Sequence, residues 1–403
     1  MIDRATFVRS LAAVLAGPSL IAQSPRPFNM LVLGDSISWG QGLEHTSKWR
    51  YLLQKAIEAK LNRPVQPYAP RIHSGAIIGI GDRNEIGQPG LYQPGEREES
   101  FVDPPFPDPA FPERGGEIPS STPTILAQLD TMDQPPQKDV VFDLVVVSAG
   151  INDVDITRFI SPFQESKYID WLIKQHCHFH LAALLDRIRA RCIESNPSCR
   201  VVVLSYFPII SEESVNFPNI RDFVSALMRT PPRPTPKERR DTSRAENSAS
   251  RTDQANATRG IDLQNKSLSE QPGIVKDMMK AAKTFYDTSQ TAIDEAVNDA
   301  NRVAPHSFMH VTPSIGPSEA LFVPATNASR LWPVTFAANE DAQPHDQVYP
   351  DRIPLCTKIY AGKNKNMAEN TCRIASIGHP NIAGAEFGYF AAIWAKLEPL
   401  IGK

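Results

Sequence analysis

Five short strand-like runs, most of them rich in Val, Leu and Phe, at residues 28–33, 65–69, 142–148, 200–206 and 308–311, constrain this chain more than any other feature. Several are apolar throughout instead of alternating with polar residues. A strand apolar on both faces must be covered on both, which is the condition of a parallel sheet in an α/β fold. Helical spacing fills the intervals, at 47–61, from Thr122-Pro123 to Leu129, at 168–194, at 274–303 and at 381–400. Pro123 suits a first helical turn, where a missing N–H costs nothing. The predicted architecture is an α/β, three-layer, doubly wound sandwich around a mainly parallel central sheet, with right-handed crossovers and long loop insertions. One domain over 25–403 accommodates all of these elements.

The insertions are marked by composition. Residues 79–121 are rich in Pro, Gly and acidic side chains and predict an ordered loop over the sheet edge. Residues 230–268 are polar and almost without aromatics, which predicts a mobile segment. Residues 313–372 carry Leu321, Phe322, Trp332 and Phe336 in no regular pattern and suit the wall or lid of a cleft. A net charge of −3 gives no basic field, so nucleic acid is not an expected partner.

At the N-terminus, Arg4 and Arg9 precede an apolar segment at 11–21, followed by Ala22 and Ser24. That order predicts a signal peptide over 1–24 and a secreted or periplasmic protein. The segment falls short of the about 20 apolar residues a membrane-spanning helix needs, and no stable membrane span is expected elsewhere. Five cysteines fit an exported chain with partial disulfide use. Cys192 with Cys199 and Cys356 with Cys372 are the expected pairs, and Cys177 is expected to be buried in a helix.

Four places carry polar residues that a nucleophilic site needs. The first strand ends in Gly34-Asp35-Ser36, delivering a hydroxyl to a turn. The second is followed by His73-Ser74-Gly75-Ala76, where a glycine leaves a backbone N–H accessible. The third ends in Gly150-Ile151-Asn152-Asp153, and an asparagine amide there can donate to an oxyanion. Before the closing helix stands Ser376-Ile377-Gly378-His379-Pro380-Asn381, with a histidine of the right basicity to activate a serine. In this order and at these strand ends, the chain resembles the SGNH (GDSL-type) hydrolase superfamily over its whole sheet scaffold. The resemblance implies Ser36 as nucleophile, His379 as general base and acid, and Gly75 and Asn152 in an oxyanion hole with the Ser36 N–H.

One position departs from the family pattern. The aspartate usual three residues before the histidine is Ser376 here. Three readings stay open. In one, the acid comes from elsewhere, with Glu340, Asp341, Asp346 and Asp351 as the nearest upstream candidates. A main-chain carbonyl can orient the ring in a Ser–His dyad. Or the protein binds a ligand without turning it over. The expected activity is that of an exported serine esterase or lipase on a carboxylic ester, with a lipid, short acyl ester or acylated carbohydrate as substrate and no cofactor or metal. An acyltransferase differs only in what resolves the acyl-enzyme.

Other polar residues have plainer readings. Asp35 holds the turn, Asp153 caps a strand end, and His73 is a partly exposed loop residue. His176 and His180 share a helix face at zinc-ligand spacing. No matching ligand stands out in the sequence, so a polar helix face accounts for them.

Overall fold

The computed structural model describes residues 26–69, 71–80, 115–119, 123–154, 166–214, 272–324, 329–335, 343–344, 346–360 and 372–402. The signal-peptide expectation at 1–24, the segment 230–268 and most of the loop 79–121 lie outside the described residues. The central sheet is built from β1 (Phe28–Gly34), β2 (Val65–Tyr68), β3 (Leu144–Ser148), β4 (Arg200–Leu204) and β5 (Phe308–Val311). Their order is β2-β1-β3-β4-β5, and every pairing is parallel. The fold is therefore the expected α/β architecture.

All seven residues of β1 and all five of β3 are buried. Neighbouring residues of a strand point to opposite faces, so burial of every one means that helices cover both. β2 is shorter than its apolar run because it forms the sheet edge. Gln66 and Pro67 are exposed there, and an edge strand tolerates a proline whose missing N–H faces outward.

Helix α1 (Ser36–Trp39) is a single turn, and α2 (Trp49–Leu61) returns the chain to β2. Helix α3 (Ile125–Asp130) starts later than expected because Thr124 caps it, its hydroxyl accepting the Ala127 N–H. The one-turn helix α4 (Ile151–Val154) follows β3. Then α5 (Ser166–Ile173) runs through a π-helical stretch, Lys174–His180, into α6 (Leu181–Ile188). The 32-residue α7 (Pro272–Val303) packs along that length, as the apolar spacing at 274–303 predicts. Helix α8 (Tyr349–Tyr360) precedes the closing element, in which a π-helical stretch, Gly384–Phe390, leads into α9 (Ala391–Leu397) against α2.

Cys356 and Cys372 form a disulfide with Cα atoms 5.7 Å apart, closing a 16-residue separation. Cys177 is buried and free, also as expected. The pairing of Cys192 with Cys199 is not formed; both are free and buried. Backbone hydrogen bonds close that turn instead, from Asn196 N to Cys192 O and from Cys199 N to Asn196 O. The two side chains enter the apolar core from the end of a helix and the start of β4.

Candidate active site

In a doubly wound sheet of this order, the crossovers diverge between β1 and β3, and a crevice opens beyond their carboxyl ends. Ser36 and Asn152 both lie there, each a few residues past the paired Gly34 and Ser148. Gly34 has φ +134°, and a Cβ on it would stand 2.5 Å from the Ser148 carbonyl oxygen. Only glycine lets the chain turn this tightly against β3.

The turn is then held by Asp35. Its carboxylate caps α1 by accepting the Ile37 N–H at 2.9 Å, and it accepts the Ser148 hydroxyl at 2.6 Å and the Tyr206 hydroxyl at 3.2 Å. Tyr206 in turn accepts the Ile151 N–H at 3.0 Å, so Asp35 ties the ends of β1, β3 and β4 together. Burial pushes its carboxyl pKa up, and these donors oppose the shift. Asp35 is thus the structural residue expected from the sequence.

Ser36 opens α1, and its Oγ is 2.7 Å from His379 Nε2, across 343 residues of sequence. The loop bearing His379 is pinned by its own backbone. His379 N–H donates to Ser376 O, Gly378 N–H to Trp332 O, and Trp332 N–H to His379 O. Gly378 takes φ +75° to make that turn. The two loops touch at Gly42, where a Cβ would meet Asp346, Ser376 and Trp332, each at 2.9 Å.

The position three before His379 is filled by a serine in an ionic network. Ser376 Oγ donates to Asp346 Oδ2 at 2.5 Å. Arg352 lies against the same carboxylate at 2.5 Å, reaches Glu117 at 3.1 Å and donates to Ser376 Oγ at 3.2 Å. Glu117 also accepts the Trp39 indole N–H at 2.7 Å and the Gly42 N–H at 3.1 Å, with Lys48 4.0 Å away. All of these side chains are buried. Among the described residues, Asp346 is the upstream acid placed here. Asp351 is exposed in the first turn of α8, where its charge suits the helix dipole, and Glu340 and Asp341 lie outside the described residues.

Asp346 does not bond the imidazole. His379 Nδ1 is buried without a hydrogen-bond partner among the described residues. Burial holds the His379 pKa down to about 4. The main-chain carbonyls of Ser376 and Ile377 and the Asp346 charge pull it upward, while Arg352 pushes it further down.

Asn152 donates its side-chain amide to Ala76 O at 3.0 Å, next to Gly75. Gly75 itself has φ +82°. Both Asp153 carboxylate oxygens accept the Ile78 N–H at 3.1 Å. The loops holding Gly75 and Asn152 are therefore laced together, and Asp153 is more than a strand-end cap. His73 departs from expectation: it is fully buried, with Nδ1 2.9 Å from Ser74 O and Nε2 2.9 Å from Pro123 O. Two carbonyls within reach draw the ring inward and make it a brace between the loop and α3.

No known family profile and no curated protein matches this chain. Among solved structures, phospholipase A1 from Streptomyces albidoflavus NA297 superposes with a TM-score of 0.41 at 13% identity, covering 92% of this chain and 100% of that one. An extracellular lipase from Streptomyces rimosus superposes with a TM-score of 0.41 at 13% identity, covering 91% of this chain and 99% of that one.

Proposed function

We propose that this chain is an SGNH-type serine hydrolase acting on a carboxylic ester, of the esterase and lipase kind, and working as a Ser–His dyad. The observation that carries this reading is the 2.7 Å contact between Ser36 Oγ and His379 Nε2. A half-buried imidazole whose desolvation holds its pKa down to about 4 is neutral at ordinary pH, so Nε2 has a lone pair for the serine proton.

In the proposed reaction, Ser36 Oγ attacks the ester carbonyl as His379 takes its proton. The oxyanion forms against the Ser36 N–H, the Gly75 N–H and the Asn152 amide. Collapse expels the alcohol, which takes the proton from His379, and water releases the acid by the same steps in reverse. The imidazolium that forms between these steps is stabilised by the Ser376 and Ile377 carbonyls and, through space, by Asp346. The disulfide between Cys356 and Cys372 fits an oxidising compartment, in line with the export signal proposed at 1–24.

The direct test is labelling by a fluorophosphonate, which captures an activated serine. Wild type should label, while Ser36→Ala and His379→Ala should not. Folded wild type that stays unlabelled would remove the hydrolase reading and leave a ligand-binding protein.

Two further outcomes follow. The Asn152→Ala variant should lose about 10²–10³-fold in kcat on a nitrophenyl ester, the loss typical of one oxyanion donor. A loss confined to KM would place Asn152 in substrate binding instead. The pH profile of kcat/KM should be flat at neutrality and fall only as pH drops through about 4, because protonated His379 cannot act as a base. An acid limb near the ordinary histidine value, about 6.5, would mean that the ring is solvated or meets a carboxylate during catalysis.

A further inference from the structure

The pair His176 and His180, left over from the sequence, acquires a third partner in the fold. Asp153 in α4, the turn that follows β3, stands against the π-helical stretch Lys174–His180. One ligand atom from each of Asp153, His176 and His180 lies within 4.8 Å of the others. We propose that these three side chains form a binding site for a divalent first-row cation, with Zn2+ as its best-fitting occupant, separate from the Ser36 centre.

The geometry of the imidazoles is the first support. Their Nδ1 atoms are 3.1 Å apart, with the rings nearly perpendicular at 80°. Two Zn–N bonds of about 2.0–2.1 Å at a tetrahedral angle place their nitrogens roughly 3.3 Å apart, so the pair already spans a ligand edge. Bringing the carboxylate to the same separation closes a gap of at most about 1.5 Å. Both rings belong to a π-helical stretch, a widening of the helix that recurs at functional sites.

The surroundings are the second support. Ligating residues are usually fixed by outer hydrogen bonds. Asp153 is held by the Ile78 N–H, and the Gln175 amide stands 3.1 Å from His180 Nε2, the ring nitrogen that faces away from His176. With its oxygen turned inward, that amide accepts the N–H of a ring coordinated through Nδ1. Two imidazoles and one carboxylate suit Zn2+, and three protein ligands leave a coordination position open. His180 and Gln175 are buried, whereas His176 and Asp153 are half-buried, so an ion can reach the site.

A bound ion would clamp the β3 loop, which carries Asn152, to the helix that packs along α7. That makes the site a brace for the loop, whatever reaction the crevice performs.

The test uses untagged full-length protein, stripped with a chelator and titrated with Zn2+ by calorimetry, with elemental analysis after dialysis. About one equivalent of Zn2+ should remain bound. Co2+ in its place should show the intense visible bands of a four-coordinate site. His176→Ala and Asp153→Asn should each weaken Zn2+ binding roughly a hundredfold or more, since even outer-shell changes cost 10–100-fold. Zn2+ should raise the unfolding midpoint of wild type and not of these variants. His178→Ala should bind as wild type does, because His178 faces Asp299 and Glu295 instead. Near-UV circular dichroism of the stripped variants confirms that they are folded. No uptake by wild type overturns the proposal and leaves a hydrogen-bonded histidine pair. Uptake that survives both variants, or that is lost in His178→Ala, overturns it equally.

Discussion

Ser36→Ala should lower kcat on a nitrophenyl ester by about a millionfold, to the level left when a nucleophile is removed from a serine hydrolase. The protein itself should stay folded. Among the described residues the hydroxyl makes one hydrogen bond, to His379 Nε2, and a single bond of this kind contributes about 1 kcal/mol. Alanine also accepts the helical backbone that Ser36 adopts as the first residue of α1. His379→Ala should fall by a comparable factor, and the double variant should fall no further, because the two act as a unit. A loss below about a hundredfold in Ser36→Ala, with an unchanged unfolding midpoint, would mean that Ser36 is not the nucleophile and that another group attacks the ester.

Much of this arrangement was legible in the sequence because it depends on local pattern. A fully apolar run means a strand covered on both faces, and β1, β3 and β4 follow from that. Gly34-Asp35-Ser36 and Gly150-Ile151-Asn152 follow the ends of such runs, which the sheet brings side by side, and Gly378-His379 stands just before the closing helix. What the sequence hid are contacts between segments with no periodicity. Ser376 stands where an acid was expected, and the acid arrives from 30 residues upstream to meet its hydroxyl. Glu117, in a loop with no helical or strand pattern, is a central carboxylate of the buried network. His73 reads as a loop residue until two carbonyls are placed around it. Asp153 reads as a cap until the fold lays it beside a helix that follows later in the chain. Cys192 and Cys199 have the spacing of a bridge, but burial in the core from two directions separates their roles.

The Arg352→Met variant should lose about 3–5 kcal/mol of stability, the cost of removing one partner from a buried ion pair. Arg352 faces both Asp346 and Glu117, so the substitution removes the guanidinium that the two buried carboxylates share. It leaves Asp346 the neutral Ser376 and Val348 donors, and Glu117 its neutral donors with Lys48 at 4.0 Å. Denaturant unfolding measures the loss, and a change below about 1 kcal/mol would show that the pair is solvated. Catalysis should respond with a definite sign. The Arg352 charge opposes protonation of His379 and the Asp346 charge favours it. In Arg352→Met the acid limb of kcat/KM should therefore move up from about 4, and in Asp346→Asn it should move down. Both variants lose stability, so a general loosening of the fold would move the two limbs in the same direction. Opposite movements identify Asp346 as a residue that positions and biases the base through Ser376 without touching it. If neither limb moves while stability falls in both, the carbonyls of Ser376 and Ile377 act alone on the imidazole.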